Sequence, residues 1–198
     1  MLLKIVQAGE SVLRNQAREL SREELRGDEI RRLIEWMRET MRDAPGVGLA
    51  APQVGLPLQL AVIEDGAELQ RAIAPERLAE RGRRPVPFHV IANPSIELDG
   101  GTAEFFEGCL SVPGLTAIVP RALRARVRCL DHEGEEVIIQ ADGWYARILQ
   151  HEIDHLRGVL YLDRMLSRSM MTVEHLTRHW NDLPIVEVKR RLGIGETP

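Results

Sequence analysis

The chain has 198 residues, of which 44% are hydrophobic and 28% charged, and its net charge is −4. This composition is typical of a globular protein, and we expect residues 1–198 to form a single domain. The charge gives no support for a nucleic-acid-binding class, so we expect no specific nucleic-acid readout. Two distant cysteines argue against a disulfide scaffold. No signal peptide is evident and no apolar run approaches the roughly 20 residues of a membrane span, so we expect a cytoplasmic protein without a membrane partner.

The first half of the chain predicts one amphipathic helix and one strand. Residues 28–42 carry apolar side chains at positions 30, 33, 34, 37 and 41, a helical spacing that predicts a helix with one face on the core. Residues 58–63 predict a strand. The Arg- and Pro-rich residues 71–87 then predict an excursion over the surface, with room for a helical turn, rather than a linker between domains.

The middle of the chain predicts short strands with interruptions. Residues 88–92 and 96–98 are predicted as separate strands because Asn93-Pro94 lies between them. A further strand over residues 105–112 is expected to end at a turn formed by Pro113-Gly114.

Two later strands are predicted as an antiparallel pair. Residues 124–130 alternate, with arginines at 124, 126 and 128 facing outward and Ala125, Val127 and Cys129 facing the core. Residues 136–141 return as the partner strand. Helices on either side of several antiparallel strands predict the α+β class.

Residues 150–156 contain two histidines, His151 and His155, four positions apart. On a helix this spacing places both imidazoles on one face, where they can bind one divalent ion, and Glu152 lies beside them to handle a proton. No Gly or Pro interrupts residues 144–157, and Gly158 is placed to end the helix.

The chain after this helix predicts one extended stretch and one helix. Residues 161–163 are expected to be extended, and residues 169–180 to form a C-terminal helix. The second pair of histidines, His175 and His179, has no carboxylate between its members and is interpreted as part of an exposed helix.

Two histidines do not complete a metal site, and the spacing leaves the third ligand open. Tyr161 occupies the position where the metzincin proteases need a histidine. Glu174 lies where a thermolysin-like protease has its glutamate. Cys109 follows Gly108 at the end of a predicted strand, and a thiolate with two imidazoles would leave one position open for water. The spacing alone favours Cys109 over Glu174 without excluding either, and Cys129 is interpreted as a core residue.

Three segments occur in the order and spacing of the peptide deformylases: residues 46–53 (GVGLAAPQ), 107–111 (EGCLS) and 150–155 (QHEIDH). With residues 143–147 and 158–163, about residues 28–165 resemble this family. The resemblance implies antiparallel β-sheets packed around a central metal-binding helix, with an N-terminal amphipathic helix and a C-terminal helix. Residues 71–87 and the tail at 167–198 match the family pattern poorly and are expected to vary.

The resemblance also implies a ligand set. Cys109, His151 and His155 would hold one divalent ion, which would be Fe²⁺ in the cell, with Zn²⁺, Ni²⁺ or Co²⁺ able to replace it.

The implied chemistry is hydrolysis of a formamide. Glu152 would take a proton from water and later give it to the leaving amine. The Gln53 side-chain amide and the Leu110 backbone N–H would donate to the oxyanion. The implied substrates are N-formyl-methionyl nascent peptides, which would lose formate.

The peptide is expected to add as a strand near Gly48 and Gly108, where a Cβ would hinder its approach. Val47, Trp144 and Ile148 are the candidates for the methionine pocket. A transient contact with the ribosome is also expected.

Two other functions stay open at this point. A metalloprotease for internal peptide bonds would use Glu174 as its third ligand, whereas an inactive relative would only bind ribosomes or formylated peptides. Glu107 and Arg121 are a candidate pair that fixes the strand of Cys109, and Asp154 is a candidate for orienting a ligand.

Overall fold

The computed structural model describes residues 1–71 and 73–195. Its helices are α1 Arg22–Arg26, α2 Asp28–Asp43, α3 Ala67–Gln70, α4 Pro75–Glu80, α5 Gly143–Leu156, α6 Val173–His179 and α7 Ile185–Arg191. Its strands are β1 Gly48–Ala50, β2 Leu60–Asp65, β3 Val86–Cys109, β4 Val112–Leu130, β5 Glu136–Asp142 and β6 Met171–Thr172. Short 3-10 turns cover Ser11–Arg14, Ala51–Val54, Tyr161–Asp163 and Ser167–Ser169.

Helix α2 confirms the predicted amphipathic helix. Its five predicted core residues are all buried: Ile30, Leu33, Ile34, Met37 and Met41. They pack in one hydrophobic cluster with apolar residues of β1, β2 and β3. Asp28 and Glu29 lie in the first turn, where negative charge is favoured by the helix dipole.

The strands form an antiparallel sheet in the order β1-β2-β3-β4-β5, and β6 pairs with β4. The predicted break at Asn93-Pro94 is wrong, because β3 runs through it as one long strand. The pairing with β4 shifts register between Ala92 and Ser95 and again between Asp99 and Thr102. Asn93 takes a φ of +50°, and its side chain bonds the backbone N–H and C=O of Leu20 at 2.9 and 2.7 Å. The strand therefore absorbs the interruption as a bulge.

The predicted turn at Pro113-Gly114 is also displaced. Cys109 pairs with Val112, so the chain reverses at Leu110-Ser111. The β3–β4 pairing resumes only at Glu107 and Ala117, and the intervening part of β4 pairs with β6 instead. Cys109 therefore lies at the very end of the long hairpin.

The alternating strand is confirmed. In β4 the arginines at 124, 126 and 128 are exposed, while Ala125, Val127 and Cys129 are buried. Strand β5 pairs with this part of β4 over Arg124 to Leu130.

Helix α5 is the centre of the fold and confirms the predicted α+β arrangement. Most of its residues from Ala146 onward are buried, and its apolar side chains share a cluster with β1, β2, β3 and β4. The helix ends before Gly158, which takes a φ of +74° as its predicted stop requires.

Two peripheral predictions need correction, whereas the helical turn expected in the excursion is present as α4. Residues 161–163 form a 3-10 turn rather than an extended stretch, because the Asp163 carboxylate accepts a bond from the Leu160 N–H at 2.8 Å. The C-terminal helix is shorter than predicted, since Thr172 caps its start, and helix α7 follows it unpredicted. The excursion carries α4, and Arg83 fixes its end to β2 by two bonds to Asp65 at 2.8 and 2.9 Å.

Within the part of the chain that the structure describes, no helix is both long enough and apolar enough to cross a membrane.

The Gly158 turn predicts a stability loss on substitution. A Cβ at Gly158 would lie 2.6 Å from the backbone carbon and oxygen of Arg14, whereas one at Gly101, with a similar φ of +73°, would meet nothing within 4 Å. Gly101→Ala should cost about 1–2 kcal/mol for the left-handed conformation alone. Gly158→Ala should cost about 1–3 kcal/mol more for the steric conflict. Urea unfolding measures both, and equal losses would contradict this account.

Candidate metal centre

Three potential metal ligands meet in one place. Cys109 comes from the end of β3, and His151 and His155 come from α5. One donor atom of each lies within 4.8 Å of the others, and they form the one group of three such residues found among those described. The Cys109 Sγ is 3.3 Å from the His155 Nε2. The spacing of the two histidines on α5 and the position of Cys109 at the end of the hairpin thus bring the three side chains together.

The carboxylate of Glu107 orients His151. Its Oε2 lies 3.1 Å from the His151 Nδ1. Arg121 donates to Glu107 twice at 3.0 Å, and Arg147 donates to it at 2.6 Å. Because an ionised carboxylate only accepts hydrogen bonds, Nδ1 of His151 must carry the proton, and its Nε2 is left to face the other two donors.

The charges around Glu107 set the pKa values of the site. Burial disfavours the charged form of Glu107, but the hydrogen bonds from His151 and Arg121 outweigh it and hold the pKa of this carboxyl well below its usual range. Burial also opposes the charged form of His151, but hydrogen bonds with Cys109 and Glu107 raise the pKa of His151 well above its usual value. A cation at Nε2 would therefore displace a proton.

His155 is held in the form that binds metals. Burial, the neighbouring charge of His151 and that of Arg121 lower its pKa well below the usual value, so its imidazole is neutral. Its Nδ1 is buried and meets no hydrogen-bond partner among the described residues. A neutral imidazole, an imidazole oriented by a carboxylate and a thiol form a donor set that suits a divalent transition metal.

Glu152 lies buried beside these donors. Its side chain is 3% exposed and its Oε2 has no hydrogen-bond partner in the described part of the chain. Burial raises the pKa of Glu152 to about 7, which suits a group that both accepts and returns a proton. A Cβ at Gly48 would lie 2.2 Å from the Glu152 Oε1. Gly48 therefore leaves room for this carboxylate in addition to any approaching peptide.

Gln53 is oriented by the backbone. Its Oε1 accepts a bond from the Ala50 N–H at 2.9 Å, so its amide nitrogen must point the other way. That Nε2 lies 3.5 Å from the Cys109 Sγ and 3.4 Å from the Ser111 Oγ. Leu110 is in the turn directly after Cys109, so a side-chain donor and the turn backbone lie next to the thiol.

One cavity of about 430 Å³ opens onto these groups. All five residues predicted to bind the peptide line it: Val47, Gly48, Gly108, Trp144 and Ile148. Ile148 is also part of the core, with 4% exposure. Arg81, Arg83 and Arg147 place their guanidinium groups 5.1 to 5.7 Å from the Trp144 ring, so Trp144 is held in place by cation–π contacts.

The alternative ligand lies elsewhere. The Glu174 side chain is 76% exposed and pairs with Arg178 at 2.7 Å, as expected for a surface residue. His175 and His179 are exposed on the same short helix. In the described part of the chain the Asp154 carboxylate forms no hydrogen bond with His151 or His155. It accepts from Arg121 and, at 2.6 and 2.7 Å, from Arg164.

Two contributions to the site have no clear signal in the sequence. Arg147 is a buried arginine on α5, and only its position on the core face of a helix could have indicated a buried partner. The N-terminal segment showed no periodic pattern, yet its Val6 N–H donates to the Gln53 carbonyl at 2.9 Å and its Ala8 N–H to the Ser111 carbonyl at 2.8 Å.

The donor set predicts a difference between the two cysteines. Cys109→Ala should lose the metal or bind it far more weakly, because it removes the softest donor. Cys129→Ala should retain it, since Cys129 is a buried core residue on β4. Atomic absorption of the purified variants measures their metal content. An equal metal-to-protein ratio in the two variants would contradict the role of Cys109 as a ligand.

The buried carboxylate predicts a joint loss of stability and metal affinity. Glu107→Gln leaves the buried Arg147 without its counter-charge and Arg121 with Asp154 alone, and it should cost about 3–5 kcal/mol. Its weaker hold on His151 should lower metal affinity about 10- to 100-fold. Glu97→Gln is the control, because Glu97 is 76% exposed on the same strand and its one ion-pair partner among the described residues is Arg126. A Glu107 variant with wild-type metal affinity would contradict the orienting role.

Comparison with known proteins places this site in a family. A family model described as polypeptide deformylase matches residues 2–170. Peptide deformylase 3 of Streptomyces avermitilis is 49% identical over 180 residues, which are 90% of this chain and 78% of that protein. Peptide deformylase 1A, chloroplastic, of Solanum lycopersicum is 45% identical over 191 residues, 96% of this chain and 67% of that protein.

A solved structure agrees with the fold. The Met-Ala-Ser-bound class I type b peptide deformylase from Acinetobacter baumannii matches with a TM-score of 0.74 at 32% identity, over 83% of this chain and 99% of that one. Since the family model spans most of the chain and these relatives align along nearly all of it, the chain belongs to the peptide deformylase family.

Proposed function

We propose that Cys109, His151 and His155 hold the single metal ion of this enzyme and that Glu152 moves the protons of its reaction. As a peptide deformylase, the chain is a hydrolase that removes the N-formyl group from the N-terminal methionine of new polypeptides. The observation that supports these roles best is the buried Glu152 carboxylate in the cavity that Cys109 and His151 also line, next to the group of three donors.

Glu152 is suited to both proton transfers. Bound at the three donors, a divalent ion supplies positive charge that acidifies water and polarises a carbonyl oxygen. Glu152 takes a proton from the attacking water as the new C–O bond forms at the formyl carbon. It then gives this proton to the amine nitrogen as the C–N bond breaks. The products are formate and a peptide with a free amino terminus.

Gln53 and Leu110 stabilise the oxyanion in this proposal. Negative charge develops on the formyl oxygen when water adds, and donors that are already oriented stabilise it without reorganising. The bond from the Ala50 N–H to the Gln53 Oε1 turns the Gln53 amide N–H groups toward Cys109. The Leu110 N–H follows Cys109 directly in a two-residue turn.

The peptide adds as a strand to β1. In the described sheet β1 is an end strand that pairs only with β2, so its other edge can accept hydrogen bonds from a peptide backbone. Gly48 and Gly108 lie on the walls of the cavity, and Val47, Trp144 and Ile148 form the pocket for the methionine side chain. The relative from Acinetobacter baumannii, whose structure contains Met-Ala-Ser, supports a tripeptide of this kind as the test substrate.

The setting of the enzyme is proposed on chemical grounds. We expect Fe²⁺ as the native ion, with Zn²⁺, Ni²⁺ or Co²⁺ as substitutes, because a thiolate with two imidazoles accepts all of them and supply decides among them. Since its substrates are nascent chains, we expect a cytoplasmic location and a transient contact with the ribosome. We also propose that residues 1–198 act as one domain.

The role of Glu152 predicts a variant that binds metal but does not turn over. Glu152→Gln keeps the size of the side chain and removes its ability to accept a proton, so formate release from formyl-Met-Ala-Ser should fall about 10⁴-fold. In Gln53→Ala, formate release should fall about 10²- to 10³-fold because one oxyanion donor is lost. Metal content and thermal stability should stay near wild type in both.

The matched control is Glu174→Gln, which changes an exposed glutamate of the same chain and should leave formate release unchanged. If Glu152→Gln loses the ion together with the activity, Glu152 is a ligand and the proposed proton transfers are wrong.

A further inference from the structure

One wall of the cavity comes from outside the family match. Val173 lines the cavity together with Leu110 and Leu115, whereas the family model ends at residue 170. Val173 is the first residue of α6, and the other cavity residues lie between Pro45 and Glu152. This wall therefore comes from the part of the chain that follows the match to the family model.

The tail is held firmly at this point. Strand β6 pairs with β4, with Thr172 opposite Leu115 and Met171 opposite Thr116. Just before it, the buried Ser169 accepts a bond from the Ile118 N–H at 2.8 Å. Just after it, the Thr172 hydroxyl caps α6 by accepting from the His175 N–H at 3.1 Å. Val173 lies between these anchors, so its position relative to the cavity is fixed by backbone pairing and a helix cap.

The pairing explains why this wall exists. Strand β4 leaves β3 between the Cys109–Val112 and Glu107–Ala117 pairs. The released stretch would have unpaired backbone groups, and β6 supplies partners for it. Val173 directly follows the last paired residue of β6, and it lines the cavity together with Gly114, which precedes Leu115 on β4. The register shift near the end of the hairpin thus creates the pairing with β6 that places Val173 at the cavity.

The wall is apolar and partly open. Val173 is 44% exposed, Leu115 is half-buried, and Pro113 and Gly114 are exposed. None of these four residues has a charged side chain. An apolar side chain of a bound peptide would bury surface here, whereas a carboxylate would lose water without gaining a partner.

We propose that Val173 is a specificity-determining residue that selects apolar side chains at the positions following formyl-methionine. This inference rests on the proposed function. The methionine side chain belongs on the wall formed by α5 and β1, through Trp144, Ile148 and Val47. The wall formed by β4 and the first residue of α6 faces the rest of the peptide, at the second or third residue. Selection there acts on binding of the peptide rather than on the chemical step, so it appears in KM.

The test compares Val173→Asp with wild type on three peptides: formyl-Met-Ala-Ser, formyl-Met-Leu-Ser and formyl-Met-Ala-Leu. An aspartate at the start of a helix is favoured by the helix dipole, so the variant should fold. We expect the ratio of kcat/KM for a leucine peptide to kcat/KM for formyl-Met-Ala-Ser to be about tenfold lower in Val173→Asp than in wild type, for at least one of the two leucine peptides. The change should lie in KM. Tenfold is the low end for a lost apolar contact because the wall is half open. Val173→Ala should shift the same ratio in the same direction by less.

The matched control is Val186→Asp. Val186 is 80% exposed on α7 and does not line the cavity. The ratios of kcat/KM between the peptides should therefore be the same in Val186→Asp as in wild type. Unchanged ratios in Val173→Asp would overturn the inference, and so would an equal loss on all three peptides. Failure of the proposed function looks different, because wild type itself would then release no formate from formyl-Met-Ala-Ser.

Discussion

The site depends on one buried carboxylate, that of Glu107. It joins β3 to β4 through Arg121, and β3 to α5 through Arg147 and His151. Removing a carboxylate from water costs several kcal/mol, which only several charged donors at close range can offset. Here those donors come from β4 and α5, and Glu107 lies on β3, so the ion pairs join the two elements that carry the candidate metal donors, β3 and α5. The same ion pairs that make the burial tolerable therefore also set the orientation of a ligand.

A second constraint is the end of the long β3–β4 hairpin. The reversal at Leu110-Ser111 places Cys109 on the last pair of the ladder. Segments outside the hairpin stabilise the residues around Cys109. Backbone N–H groups of the N-terminal segment donate to the carbonyls of Gln53 and Ser111, and β6 pairs with the part of β4 that does not pair with β3. Both ends of the described chain thus contribute to a site whose ligands all lie in its middle.

Much of this site could be predicted from the sequence, because local spacing determines it. Two histidines four apart on a helix need no tertiary information to share a face, and the alternation in β4 fixed which side of the strand is buried. The errors fall where distant contacts decide. Asn93 interrupts nothing because its side chain bonds Leu20, and Pro113-Gly114 does not reverse the chain because β6 pairs beside it. Glu174 and Cys109 could not be separated by spacing, since only the fold brings Cys109 to α5.

Gly48 has a consequence for any compound that imitates the peptide. In the proposed binding mode such a compound would lie along the edge of β1 and contact Gly48, so a side chain at this position would hinder it. Even the Cβ of alanine would lie 2.2 Å from the Glu152 Oε1, so this substitution would displace the chain's own carboxylate. A substitution that weakens such a compound at this position would therefore also move Glu152, the carboxylate on which the proposed chemistry depends.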